Sequence, residues 1–157
     1  MLSKIISGGQ TGADRAALDA GLETGFPIGG ACPAGRMAED GPIGDVYPLV
    51  EISGGYRQRT RKNVEESDGT AVFYKSYLKG GTELTVLLCI RLGKPHKLID
   101  IELVSPKVAA TLLVDFITAS GINVLNVAGP RQSGCPEIYG YVKQAMGLVI
   151  KRSKEHP

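Results

Sequence analysis

"KIISGGQTGADRAALDAGLETG", Lys4 to Gly25, passes from an apolar run through a glycine-rich turn into an alanine-rich segment. "KIIS" (4–7) reads as a short strand. "GADRAALDAGLETG" (12–25) reads as a helix, with Ala16, Ala17, Ala20 and Leu22 on a partly apolar face and Gly25 as its stop. The same strand-then-helix order recurs down the chain. "FPIGGAC" (26–32) enters a second strand, and "YRQRTRKNVEESDG" (56–69) is a helix ahead of the β-branched and aromatic strand "TAVFY" (70–74). "GGTELTVLLCIRLGKP" (80–95) is a helix closed by Gly93, with Pro95 behind it, and "HKLID" (96–100) is a strand. "SPKVAATLLVDFITASG" (105–121) is a helix with Ser105 as N-cap and Pro106 at its first position. "NVLNVAG" (123–129) is the fifth strand and "CPEIYGYVKQAMGLVI" (135–150) the last helix.

Five β-then-α units predict an α/β fold, a mostly parallel five-stranded sheet with helices on both faces, in one domain over 1–157. The expected strand order is 2-1-3-4-5. In such open sheets ligands bind beyond the carboxyl ends of the strands. The loops there, "SGGQTGAD", "KSYLKGGTEL" and "GPRQSGCP", all carry glycines. The Gly/Pro-rich stretch 33–55 is too long for a plain connector.

The composition is 43% hydrophobic with 22% charged residues, as in ordinary globular proteins, whereas 21 glycines is high for 157 residues. A net charge of +2 is too mild for a nucleic-acid footprint and argues against that partner. No apolar run reaches membrane-spanning length, "MLSKIISGG" lacks a signal-peptide core, and three scattered cysteines make no disulfide framework. A reducing cytoplasm is the expected compartment.

In the first loop Thr11 and Asp14 form a T-x-x-D capping pattern. Gly8, Gly9 and Gln10 lie outside that pattern. They point to close backbone approach by an anion held at the helix N-terminus. The loop has no P-loop lysine. Gly80, Gly81 and Thr82 repeat the device. Helix 56–69 carries Arg57, Arg59, Arg61 and Lys62 in its first half and acidic residues at its end, against the helix dipole. Either Arg57 and Arg61 face an anion, or Arg61–Glu65 and Lys62–Glu66 pair along the surface. Arg131 adds a cation at the same sheet edge. Asp14 and Glu83 are the candidate acid/base carboxylates. Cys32 and Cys135, each before proline, are the candidate thiol ligands for a metal, although no Cys/His cluster surrounds them, and Cys135 stands where a helix N-terminus would stabilise a thiolate. Arg36, Glu39 and Asp40 in "RMAEDG" read as a ribose or metal contact or as a turn.

The ordered set "SGGQTGAD", "GGACPAGRMAEDG", "YRQRTRKNVEESDGT", "KGGTELT" and "NVAGPRQSGCP" resembles the putative molybdenum carrier family over nearly the whole chain. That family is similar to the Rossmann-like group that includes lysine-decarboxylase-like phosphoribohydrolases and the DNA-processing protein DprA. The resemblance implies a Rossmann-like three-layer sandwich, a homo-oligomer (dimer or tetramer), and a small phosphorylated ligand, either the molybdenum cofactor (molybdopterin) or a nucleotide. It implies a first ligand loop of Gly8, Gly9, Gln10, Thr11 and Gly12 and a second of Gly80, Gly81 and Thr82, with Arg131 and Ser133 nearby. The phosphoribohydrolase pattern P-G-G-x-G-T-x-x-E is incomplete in "KGGTELT". A carrier or binding protein is therefore the expected function, with a nucleotide phosphoribohydrolase-like enzyme and a DprA-type nucleic-acid module as alternatives.

Overall fold

The computed structural model of the chain describes residues 1–156. In chain order the elements are β1 (Lys4–Ile6), α1 (Ala13–Thr24), β2 (Ile28–Gly29), β3 (Ala31–Pro33), β4 (Met37–Ala38), β5 (Gly41–Pro42) and β6 (Val50–Ile52). Then come α2 (Tyr56–Glu66), β7 (Gly69–Tyr74), α3 (Gly80–Leu92), β8 (His96–Asp100), α4 (Pro106–Ser120), β9 (Val124–Ala128) and α5 (Ile138–Glu155). Helix punctuation follows local chemistry. Ser105 Oγ accepts from Val108 N at 3.3 Å to cap α4, and α1, α3 and α4 stop at Gly25, Gly93 and Gly121.

The main sheet has five strands in the order β2-β1-β9-β7-β8, and all its pairings are parallel. α1, α4 and α5 cover one face around a large apolar core, while α2 and α3 cover the other around Val64, Leu88 and Cys89. The α/β sandwich with helices on both faces is as expected from sequence.

The strand order is not. Numbered in chain order, the five sheet strands run 2-1-5-3-4 rather than 2-1-3-4-5. The last strand takes the centre because it can be buried on both sides. Leu125, Asn126, Val127 and Ala128 of β9 are all buried, and Asn126 Nδ2 donates to Thr70 Oγ1 at 3.3 Å across the ladder. "HKLID" has a lysine and a half-exposed leucine, and it takes the edge. Read from β9 and continued at β1, the same sheet runs 3-2-1-4-5, the order of a doubly wound nucleotide-binding half-sheet and its neighbours. The chain is thus a circular rearrangement of that order.

The expected strand 26–32 breaks at Gly30 into β2, in the main sheet, and β3, which pairs with β6. Stretch 33–55 is a built cover with its own small core of Leu18, Cys32, Ala38, Ile43 and Leu49. The Arg36 guanidinium pins it by donating to the carbonyls of Leu49 (3.1 Å), Gly44 (2.9 Å) and Tyr47 (3.0 Å).

Candidate functional site

β9 and β7 are neighbours, but the chain leaves them toward opposite faces, β9 into α5 and β7 into α3. Divergent connections leave a crevice at the carboxyl ends of the strands. A cleft of about 610 Å³ lies there. Lys75, Lys79 and Gly80 to Thr82 line it from the β7 side, Arg131 and Cys135 from the β9 side, and Gln10, Asp14 and Arg59 from the floor.

The α3 end of the cleft is open for an anion. α3 starts after Lys79 with no side-chain cap, and Glu83 is its first residue whose amide finds an acceptor, Lys79 O at 3.3 Å. A Cβ added at Gly80 or Gly81 would meet nothing within 4 Å. Free amides at a helix N-terminus, facing a cleft with positive side chains, are the standard chemistry of phosphate capture. Thr82 is buried beside them, and Thr85 Oγ1 donates to Gly81 O at 2.9 Å. The Glu83 side chain is exposed and does not line the cleft.

The first loop is built differently from the open cradle suggested by its glycines. A Cβ at Gly8 would lie 2.0 Å from Arg59 Nη1, one at Gly9 2.5 Å from Leu49 Cδ1, and one at Gly12 2.4 Å from Pro130 O. These glycines make room for the protein's own groups. The capping pattern is also replaced. Gly12 is the N-cap of α1, without a side-chain cap. Thr11 Oγ1 instead donates to Glu39 and accepts from Gln132 N at 3.1 Å. Gln10 Oε1 accepts from Thr11 N at 3.0 Å and Glu39 N at 2.9 Å, while Ser133 Oγ donates to Glu39 at 2.6 Å. The bonds from Ser133 and Thr11 hold the Glu39 carboxyl below its usual range. Thr11, Glu39 and Ser133 are a clasp joining three loops beside the cleft. Asp40 accepts from Arg15 at 3.1 Å in the same clasp.

Asp14 and Arg59 make the floor. Asp14 Oδ2 is 3.4 Å from Arg59 Nη1, with the two side chains 8% and 14% exposed. Burial pushes the Asp14 carboxyl above its usual range, and Arg59 and the amides of Gln10 and Gly8 offset only part of this. Arg59 Nε is buried without a partner. The Arg59 and Arg131 guanidiniums lie 5.7 and 6.0 Å from the centroid of the Tyr56 ring.

The chain, from residue 5 to residue 150, matches the model of the circularly permutated YpsA SLOG family. It belongs to that family. The family's description names a circular permutation, and the strand order described above is a rearrangement of that kind. A crystal structure of a putative molybdenum carrier protein from Syntrophus aciditrophicus SB is 43% identical, with a TM-score of 0.92 and 95% of each chain covered. No curated protein matches significantly.

On this SLOG scaffold the expected site residues fall into three groups. Gln10, Asp14, Gly80, Gly81, Thr82 and Arg131 meet at the cleft, while Gly8, Gly9, Thr11, Gly12 and Ser133 pack next to it. Arg57 and Arg61 are exposed and do not line the cleft, and Arg61 Nε pairs with Glu65 at 2.6 Å. The surface-pair alternative therefore holds for Arg61. Arg59 is the cleft arginine that sequence reasoning passed over. No sequence pattern separates it from Arg57 and Arg61: the inner face of α2 shows only in the burial of Thr60, Asn63, Val64 and Ser67, and Arg59 borders that face one turn before Asn63.

The two thiols are not brought together. Cys32 is in the core of the cover, and Cys135 borders the cleft with its side chain buried in the main core. Burial pushes both thiols up, and Glu137, not Cys135, is the N-cap of α5, so no helix end stabilises a thiolate at 135. Among the described residues no three His, Cys, Asp or Glu side chains cluster as metal ligands. None of the described helices is long and apolar enough to cross a membrane.

Proposed function

We propose that this SLOG-family protein binds and carries a phosphate-bearing small molecule in the β9/β7 cleft, of the molybdenum-cofactor or nucleotide class. The observation that carries this reading is the uncapped α3 N-terminus at Gly80–Thr82, unobstructed on its glycine side and facing Arg59 and Arg131. The name of the Syntrophus aciditrophicus relative supports the molybdenum side of the choice.

The residues fit the phosphate end of such a cargo. The amides of Gly81 and Thr82 would take its oxygens, Lys79 and Arg131 would supply charge at the mouth, and the unpartnered Arg59 Nε would supply a donor at the floor. A bound molybdenum cofactor would bring its metal as cargo, with the protein holding the phosphorylated pterin and excluding water. Native mass spectrometry of the purified protein should reveal a phosphate-containing small molecule. Gly81→Val should weaken binding of inorganic sulfate or a nucleoside monophosphate by roughly tenfold or more, because branched carbons would cover the free amides. Titration calorimetry reads this, and unimpaired binding by a folded Gly81→Val protein would refute the cradle.

Asp14 makes the affinity depend on pH. As pH falls through its raised folded value, which lies above 3.8, the carboxyl gains a proton and no longer neutralises Arg59. Anion binding should therefore strengthen toward acid by roughly tenfold. Sulfate, which does not titrate in this range, is the probe, and Asp14→Asn should abolish the slope.

A carboxyl in the cleft whose proton affinity burial raises also favours one second reading, a hydrolase acting on nucleotide N-glycosidic bonds with Asp14 as the acid. Release of free base from nucleoside monophosphates, lost in Asp14→Asn, would establish it over the carrier reading.

A further inference from the structure

α3 has a second face that the cleft does not use. Its inner side buries Val86, Leu88 and Cys89, while Leu87 is 53% and Ile90 62% exposed on the outer side. Glu83, Leu84, Leu87, Ile90 and Arg91 fall at i, i+1, i+4, i+7 and i+8, which is one helical stripe, with Leu84 half-buried at its edge against the Val64, Leu88 and Cys89 cluster. Among the described residues, neither Glu83 nor Arg91 makes an ion pair within the chain. Leu98 on the edge strand β8 is 40% exposed. It alternates with Ile99, whose side chain joins the core under α4, so Leu98 extends the apolar surface on the α3 side.

The stripe is self-complementary about Leu87. Laid antiparallel on a copy of itself, with a two-fold axis at Leu87, it sets Leu84 against Ile90, Glu83 against Arg91 and Leu87 against itself. A parallel arrangement would set Glu83 on Glu83 and Arg91 on Arg91. A two-fold interface requires that one patch complement itself, and this patch does so in both shape class and charge. We propose that α3 pairs antiparallel with α3 of a second copy of this chain, and that the Glu83–Arg91 contacts fix the orientation. Closing this contact covers the exposed leucines that a monomer leaves in water.

Sedimentation velocity on the full chain tests the pairing. The native protein should have at least twice the 16.6 kDa chain mass. Leu87→Asp places two like charges at the axis and should halve the assembly mass, with circular dichroism showing an unchanged fold. Glu83→Arg and Arg91→Glu should each raise the dissociation constant at least tenfold. An equal mixture of these two variants should restore the dimer, because every contact again joins opposite charges. A native monomer, an assembly whose mass survives Leu87→Asp, or charge variants that stay apart when mixed would each overturn the proposal.

Discussion

Arg59→Leu is expected to lower affinity for sulfate or a nucleoside monophosphate by at least tenfold and to destabilise the fold by about 2 kcal/mol. The binding loss follows from position. Arg59 reaches the cleft floor through the space that Gly8 leaves by having no side chain, and its Nε has no acceptor within the protein. The stability loss follows from Asp14, which is buried and would stay so without its guanidinium partner. Its raised affinity for a proton limits the cost, since a neutral carboxyl needs no counter-ion. The two effects separate in a double variant. Arg59→Leu with Asp14→Asn should recover most of the stability in urea unfolding but none of the binding. Arg57→Ala and Arg61→Ala, on the exposed side of α2, should leave binding within about twofold, since their charge acts only through screened solvent. If Arg61→Ala were as damaging as Arg59→Leu, the assignment of the cleft arginine would be wrong.

The contrast between these arginines explains what could be read from sequence. Charge reversal along α2 is visible in the string of letters, so an anion-facing helix could be suspected. The face is set by burial of Thr60, Asn63 and Val64, which depends on where the sheet lies. The alternation of strands and helices was legible for a similar reason: each unit is local. "NVLNVAG" and "HKLID" are both plain strands by pattern, and only competition for the doubly covered centre places β9 inside and β8 at the edge. Three loops with glycines were equally legible as a group. Their glycines do opposite jobs, because a missing Cβ can admit a ligand, as at Gly80 and Gly81, or admit another part of the chain, as at Gly8, Gly9 and Gly12. Sequence alone does not say what occupies the space.

Gly12→Ala is the sharpest test of that distinction. Gly12 has φ 79 and ψ −129, a conformation that only glycine adopts readily, and an added Cβ would lie 2.4 Å from Pro130 O. Ala13 N also donates to Pro130 O at 3.2 Å, so the same carbonyl anchors the start of α1. A methyl group there cannot be relieved by a side-chain rotation, since what it meets is backbone. The expected cost is roughly 3 kcal/mol or more, combining the conformational strain with the displaced contact. The displacement would carry the 129–136 loop away from α1, break the bond from Gln132 N to Thr11, and move Arg131 at the mouth of the cleft. Both stability and anion affinity should therefore fall. Gly81→Ala, with open space around it, should change stability by less than about 1 kcal/mol in either direction. Urea unfolding of the two variants side by side decides the matter. If Gly12→Ala were as stable as the native protein, the first loop would be an open cradle rather than a packed hinge, and the phosphate site would have to be shared between both loops.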